Sequence, residues 1–114
     1  MNYAVYILSN KECNIFYVGI TGLLQDCIFD HKVNQTKRDS WVHCTRLLYY
    51  EWLWDFDKAV DRVDKLTKRL EHWDMNFIIQ YNPWLEDESE GWYDSSMIYN
   101  VRRSRTPLIP PEWH

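Results

Sequence analysis

Apolar and polar positions along this chain fall into three short β-branched or aromatic runs and one long helical stripe. The first two runs, residues 3 to 8 (YAVYIL) and 15 to 20 (IFYVGI), are separated by SNKECN, whose Ser, Asn and Lys suit a hairpin connection. The chain is therefore expected to open with two paired strands. Thr21 then offers a cap, and Leu24, Ile28 and His31 recur at four- and three-residue steps with Cys27 on the same face, which predicts a first helix ending near Val33. Residues 35 to 45 show no clear period. From Arg46 to Trp54 (RLLYYEWLW), Leu47, Tyr49, Glu51 and Leu53 alternate with Leu48, Tyr50, Trp52 and Trp54, predicting a third strand buried on both faces.

Asp55 or Asp57 can cap a second helix. Its apolar stripe is Ala59, Val60, Val63, Leu66 and Leu70, and Asp61, Arg62, Asp64, Lys65 and Lys68 form the solvated side. A short helix around residues 71 to 80 should follow, stopped by Asn82-Pro83. Residues 85 to 94 (LEDESEGWYD) hold five carboxylates and no base, the composition of a solvated loop. The last segment, VRRSRTPLIPPEWH, mixes Arg102, Arg103 and Arg105 with three prolines and should be extended, its arginines available to clasp the acidic stretch from Glu86 to Glu90. The expected fold is thus α+β: a three-stranded antiparallel sheet flanked by helices over residues 1 to 84, then an acidic loop and an Arg- and Pro-containing C-terminal extension over residues 85 to 114.

With 114 residues, the chain is long enough to bury a core without staples, and an aromatic content of 17% argues for compactness over most of it. Cys13, Cys27 and Cys44 are too few and too scattered for a disulfide framework, which favours a reducing, cytoplasmic setting. The opening apolar run lacks a basic start and a cleavage site and is too short to span a bilayer, so no membrane role is expected. A net charge of -4 means that nucleic acid would need a local basic patch. Lys32, Lys37, Arg38 and Arg46 are the candidates for one, with only Asp39 opposing them between positions 32 and 46. An ordinary solvated loop explains them equally well.

The order of these elements and the motifs on them resemble the GIY-YIG nuclease superfamily, most closely its small single-domain bacterial members. Ala4-Val5-Tyr6 stands where those proteins have a Gly-Ile-Tyr-like motif, and Tyr17-Val18-Gly19 where they have Tyr-Ile-Gly, with ten residues between Tyr6 and Tyr17. Gly19-Ile20-Thr21, Leu24, Ile28, His31-Lys32, Leu48-Tyr49-Tyr50-Glu51, Ala59-Val60, Asn82-Pro83 and Trp92-Tyr93 continue the likeness, which runs from about Tyr3 to Tyr93. The resemblance implies that Tyr6 and Tyr17, beside Gly19 and His31, belong to a phosphodiester-cleaving site. In the family that site also uses a first-helix arginine against the phosphate charge and a glutamate on the next long helix for a divalent metal.

Here Cys27 occupies the arginine position and Val63 the glutamate position. A neutral thiol offers no fixed positive charge and no bidentate fork, and an isopropyl group has no donor for a hard cation. Asp64 projects about 100° round the helix from Val63. The implied protein is a degenerate nuclease that binds a protein or a nucleic acid without cutting and needs no metal or other cofactor. The rival is an active endonuclease using Mg or Mn, with Arg46 or Arg38 reaching the phosphate and Asp64 or Asp61 the metal; it requires the second helix to turn away from its apolar stripe. Tyr6 and Tyr17 could equally be packing aromatics on adjacent strands. Cys27 and His31 have an i, i+4 spacing that suits zinc, but His43 and Cys44, the only partners to hand, are sequence neighbours and fit a tetrahedral site poorly.

Overall fold

A computed structural model describes residues 2–33 and 44–93. The chain order is β1 (Tyr3–Ser9), β2 (Phe16–Thr21), α1 (Leu24–Val33), β3 (Arg46–Leu53), α2 (Phe56–Glu71) and α3 (Asn76–Tyr81). The three strands form one antiparallel sheet in the order β2-β1-β3. That is the α+β architecture read from the sequence; the C-terminal extension beyond Tyr93 lies outside the described residues.

The central strand alternates perfectly, and the alternation sorts the core into two layers. Ala4, Tyr6 and Leu8 point to the face covered by α1, packing with Leu24, Ile28, Cys44 and Leu47. Val5 and Ile7 point to the other face, where Leu48, Ala59, Leu66, Leu70 and Ile78 close over them. The hairpin between β1 and β2 is held by Asn10, whose carboxamide oxygen accepts from the amides of Asn14 and Ile15, each at 3.0 Å. Cys13 takes a left-handed backbone there, at φ 56°.

Strand β3 departs from strict alternation. Ile7 pairs with Tyr49 but Leu8 pairs with Leu47, so Leu48 is an extra residue in the ladder, a β-bulge. Leu47 therefore shares the α1 face with Tyr50, and Leu48 shares the α2 face with Tyr49. The strand is also buried on both faces only in its first half, since Trp52 is half exposed and Trp54 beyond it is 78% exposed.

Asp55 caps α2 by accepting from the Asp57 amide at 3.0 Å. Ala59, Leu66 and Leu70 are buried as the stripe predicts, Val63 is partly buried, and Val60 is exposed. On the solvent side Lys65 pairs with Asp61 and Lys68 with Asp64, both at i, i+4. The expected helix over 71 to 80 is shorter and later, because Trp73 at φ 57° ends α2 in a left-handed turn before α3 begins. Thr21 accepts from the Leu23 amide at 3.0 Å, bracing the turn that leads into α1 rather than the first helical turn itself.

The acidic stretch after α3 is a loop, but not a fully solvated one. Ser89 is buried, and Asp87 bonds the Leu47 amide, the Ser89 amide and hydroxyl, and the Lys32 ammonium. Trp92 and Tyr93 pack on the α1 layer, and the Tyr93 hydroxyl donates to the Gln25 carbonyl. No helix among the described residues is long and apolar enough to cross a membrane.

Candidate functional site

Tyr6, Gly19 and Tyr50 lie in one row across the sheet, because Tyr6 pairs with Gly19 on β2 and with Tyr50 on β3. A Cβ built on Gly19 would lie 2.5 Å from the Tyr6 ring carbon and hydroxyl, far inside contact distance. The Tyr6 ring therefore occupies the space that any other residue at position 19 would need. Tyr17, two residues earlier on the same face of β2, sits with its ring centroid 6.1 Å from that of Tyr6.

Above this row α1 presents Cys27 and His31, one turn apart. The Cys27 thiol donates to the Tyr6 hydroxyl at 3.1 Å, and His31 Nε2 lies 3.4 Å from the same oxygen. The His31 ring also packs on Tyr17, with centroids 5.1 Å apart. A run from thiol to phenol to imidazole is satisfied when Nε2 carries no proton. The structure thus brings together Tyr6, Tyr17, Gly19, Cys27 and His31, the group singled out from the sequence.

The electrostatics of this cluster are those of an interior. Burial, reinforced by Cys27 and Tyr17, pushes the Tyr6 phenol well above its ordinary range. Burial likewise raises the Cys27 thiol, against the opposing hydrogen bonds with Tyr6 and Thr21, and pushes His31 down to about 4. At neutral pH all three groups are uncharged. Neither a phenolate nor an imidazolium is on hand, and position 27 supplies no cation.

Val63 is in the other layer. It packs with the α2-side core, across the sheet from Tyr6 and Tyr17. The phenol cluster of Tyr6, Tyr17, Cys27 and His31 lies on the α1 side of the sheet, and Val63 packs on the other side. Asp61 and Asp64, the acids of the rival reading, are mostly exposed and engaged with lysines along α2. No group of three or more His, Cys, Asp or Glu side chains among the described residues is placed to hold a metal ion. Cys44 is fully buried in the α1 layer, its thiol pushed up to about 11 by burial, while His43 lies outside the described residues.

Of the basic candidates, Lys37 and Arg38 fall outside the described residues. Lys32 and Arg46 are turned inward. The Lys32 ammonium donates to Asp87 at 2.8 Å and to the Thr45 carbonyl at 3.0 Å, and Arg46 Nη2 donates to the Leu85 carbonyl at 2.7 Å. Both tie the 85–93 loop to the body of the protein.

Sequence reasoning missed the roles of four polar side chains. Asn82 is buried and donates to the carbonyls of Leu48 and Glu86 while accepting from the Glu86 amide. Asp87 and Ser89 anchor the loop; an Asp followed two residues later by Ser is the local signal of such a turn, hidden here in a run of acids. Glu51 takes bonds from Tyr49 and from Arg62 on α2, and a lone carboxylate in an otherwise apolar strand was its clue. Set against known proteins, the chain matches no family model, no curated protein and no solved structure.

Proposed function

We propose that this chain is a binding module on a GIY-YIG-like scaffold whose phosphodiester-cleaving chemistry has been replaced by packing. The observation that carries this reading is the Tyr6 hydroxyl: buried, neutral, and bonded to a thiol and an imidazole where cleavage would need a cation and a water. A phenol whose pKa is raised is a poorer activator of water, and losing one preorganised charge from such a site typically costs about a hundred- to a thousand-fold in rate.

The surface supports binding. Trp54 and Trp84 are about four-fifths exposed, and Phe56 and Val60, one turn apart on α2, are half exposed beside the β3–α2 corner. Tryptophan and phenylalanine are favoured anchors at protein interfaces, and the acidic total charge favours a protein over a nucleic acid. The inward engagement of Lys32 and Arg46 points the same way.

The test is a cleavage assay on plasmid, single-stranded and branched DNA with magnesium and with manganese, run beside Tyr17→Phe. No cleavage by either protein is expected. Cleavage by the parent that vanishes with Tyr17→Phe would establish the endonuclease instead.

A further inference from the structure

A groove of about 360 Å³ runs along the α1 side of the sheet, beyond the phenol cluster. Its walls are Tyr50 and Trp52 from β3, Trp92 from the following loop, and the turn Gly22 to Asp26 that opens α1. Trp52 pairs across the sheet with Ala4, so a small central residue separates the tryptophan from β2. Tyr50 and Trp92 meet edge to face, centroids 5.9 Å apart and planes 74° apart, which turns one ring face of the pair toward a different direction from the other. Trp52, half exposed, adds a third ring, and Asp26 a carboxylate that forms no ion pair among the described residues.

We propose that this groove binds a quaternary ammonium group. Rings set at steep angles present their negative faces to a cation, and tryptophan is the strongest such partner. A quaternary ammonium has no N–H to satisfy, so the three rings can hold it through their faces without a dedicated hydrogen-bond acceptor. The first turn of α1 carries about half a positive charge, which opposes a cation, but the full negative charge of Asp26 in that turn exceeds it. Among the described residues no lysine or arginine lines the groove, so an anion finds there only the weaker helix end. The proposal does not depend on whether the phenol cluster cleaves DNA.

The experiment is an NMR titration of the full-length protein with choline chloride, following the Trp indole N–H signals, with sodium chloride as the ionic-strength control. Its neutral carbon analogue, with carbon in place of nitrogen, is titrated in parallel, as is sodium phosphate. Saturable choline shifts, binding weaker for the neutral analogue by on the order of tenfold, and loss of the shifts in Trp52→Ala are expected. Asp26→Asn should weaken choline several-fold while leaving the fold intact, since Asp26 is exposed. Equal binding of the neutral analogue, preference for phosphate, absence of choline binding, or choline binding unchanged in Trp52→Ala would each overturn it.

Discussion

Gly19 and Tyr6 are a matched pair, and the match is steric before it is chemical. Tyr6 is buried against Cys27, Tyr17 and His31, so its ring cannot swing away from a methyl group placed 2.5 Å from its hydroxyl end. Gly19→Ala should therefore destabilise the protein by about 1–3 kcal/mol, the usual cost of overpacking a core. Tyr6→Leu removes the ring that is in the way, so the double variant should lose clearly less stability than the two single losses added together. Urea unfolding of the four proteins measures this, and simple additivity would mean that the strain lies elsewhere. The sequence motif Tyr-Val-Gly thus encodes a packing requirement that survives whether or not any bond is ever cut.

At the scale of elements, the bulge in β3 is tied to the loop that follows α3. Leu48 is the extra residue, and its carbonyl is met by the Asn82 carboxamide at 3.2 Å; the same side chain also bonds the Glu86 carbonyl and amide. Asn82→Ala would leave a buried carbonyl without its donor and free the loop that follows α3, at a cost of about 2–3 kcal/mol. Hydrogen exchange should locate the damage, with amides of the 85–93 loop and the first half of β3 losing protection before the β1–β2 hairpin does; uniform loss would contradict the assignment. Strands and helices are recoverable from the sequence because Val5 and Ile7, or Ala59, Leu66 and Leu70, carry the period of the element they build. The bulge is not, because RLLYYEWLW is apolar at nearly every position and any alternation fits it. Val63 belongs to the apolar stripe of α2, but a stripe shows only that a helix is covered, not which face of the sheet covers it. Asp87 is hidden for a related reason: among the five carboxylates of its stretch, composition marks none as the one that anchors the loop.

Across the whole molecule, the α1 layer is where acid should act first. His31 is held neutral by burial, with its pKa pushed down to about 4, against about 6.5 in an unfolded chain. Between those values the unfolded state binds the extra proton and the folded state does not, so stability is complete above about pH 6.5 and falls as the pH drops toward 4. Asp87 works lower on the scale. Burial acts to raise its carboxyl, but Lys32, the Ser89 hydroxyl and the Leu47 amide outweigh that and hold it below the ordinary value, so its contribution is present above about pH 4 and disappears below. Burial lifts the carboxyls of Asp30 and Glu88 instead, and these two oppose the loss in the carboxylate range. The window from pH 7 to 5 therefore belongs to the imidazole. Denaturant unfolding across it should show a loss of about 2 kcal/mol in the parent protein and a nearly flat profile in His31→Gln, whatever that substitution costs at pH 7. The exposed pairs on α2 contribute only about 0.3–0.5 kcal/mol each, so the profile should keep its shape in high salt. A His31→Gln profile as steep as the parent's would place the proton uptake on another group and remove the argument that the cluster around Tyr6 is a dry, neutral interior.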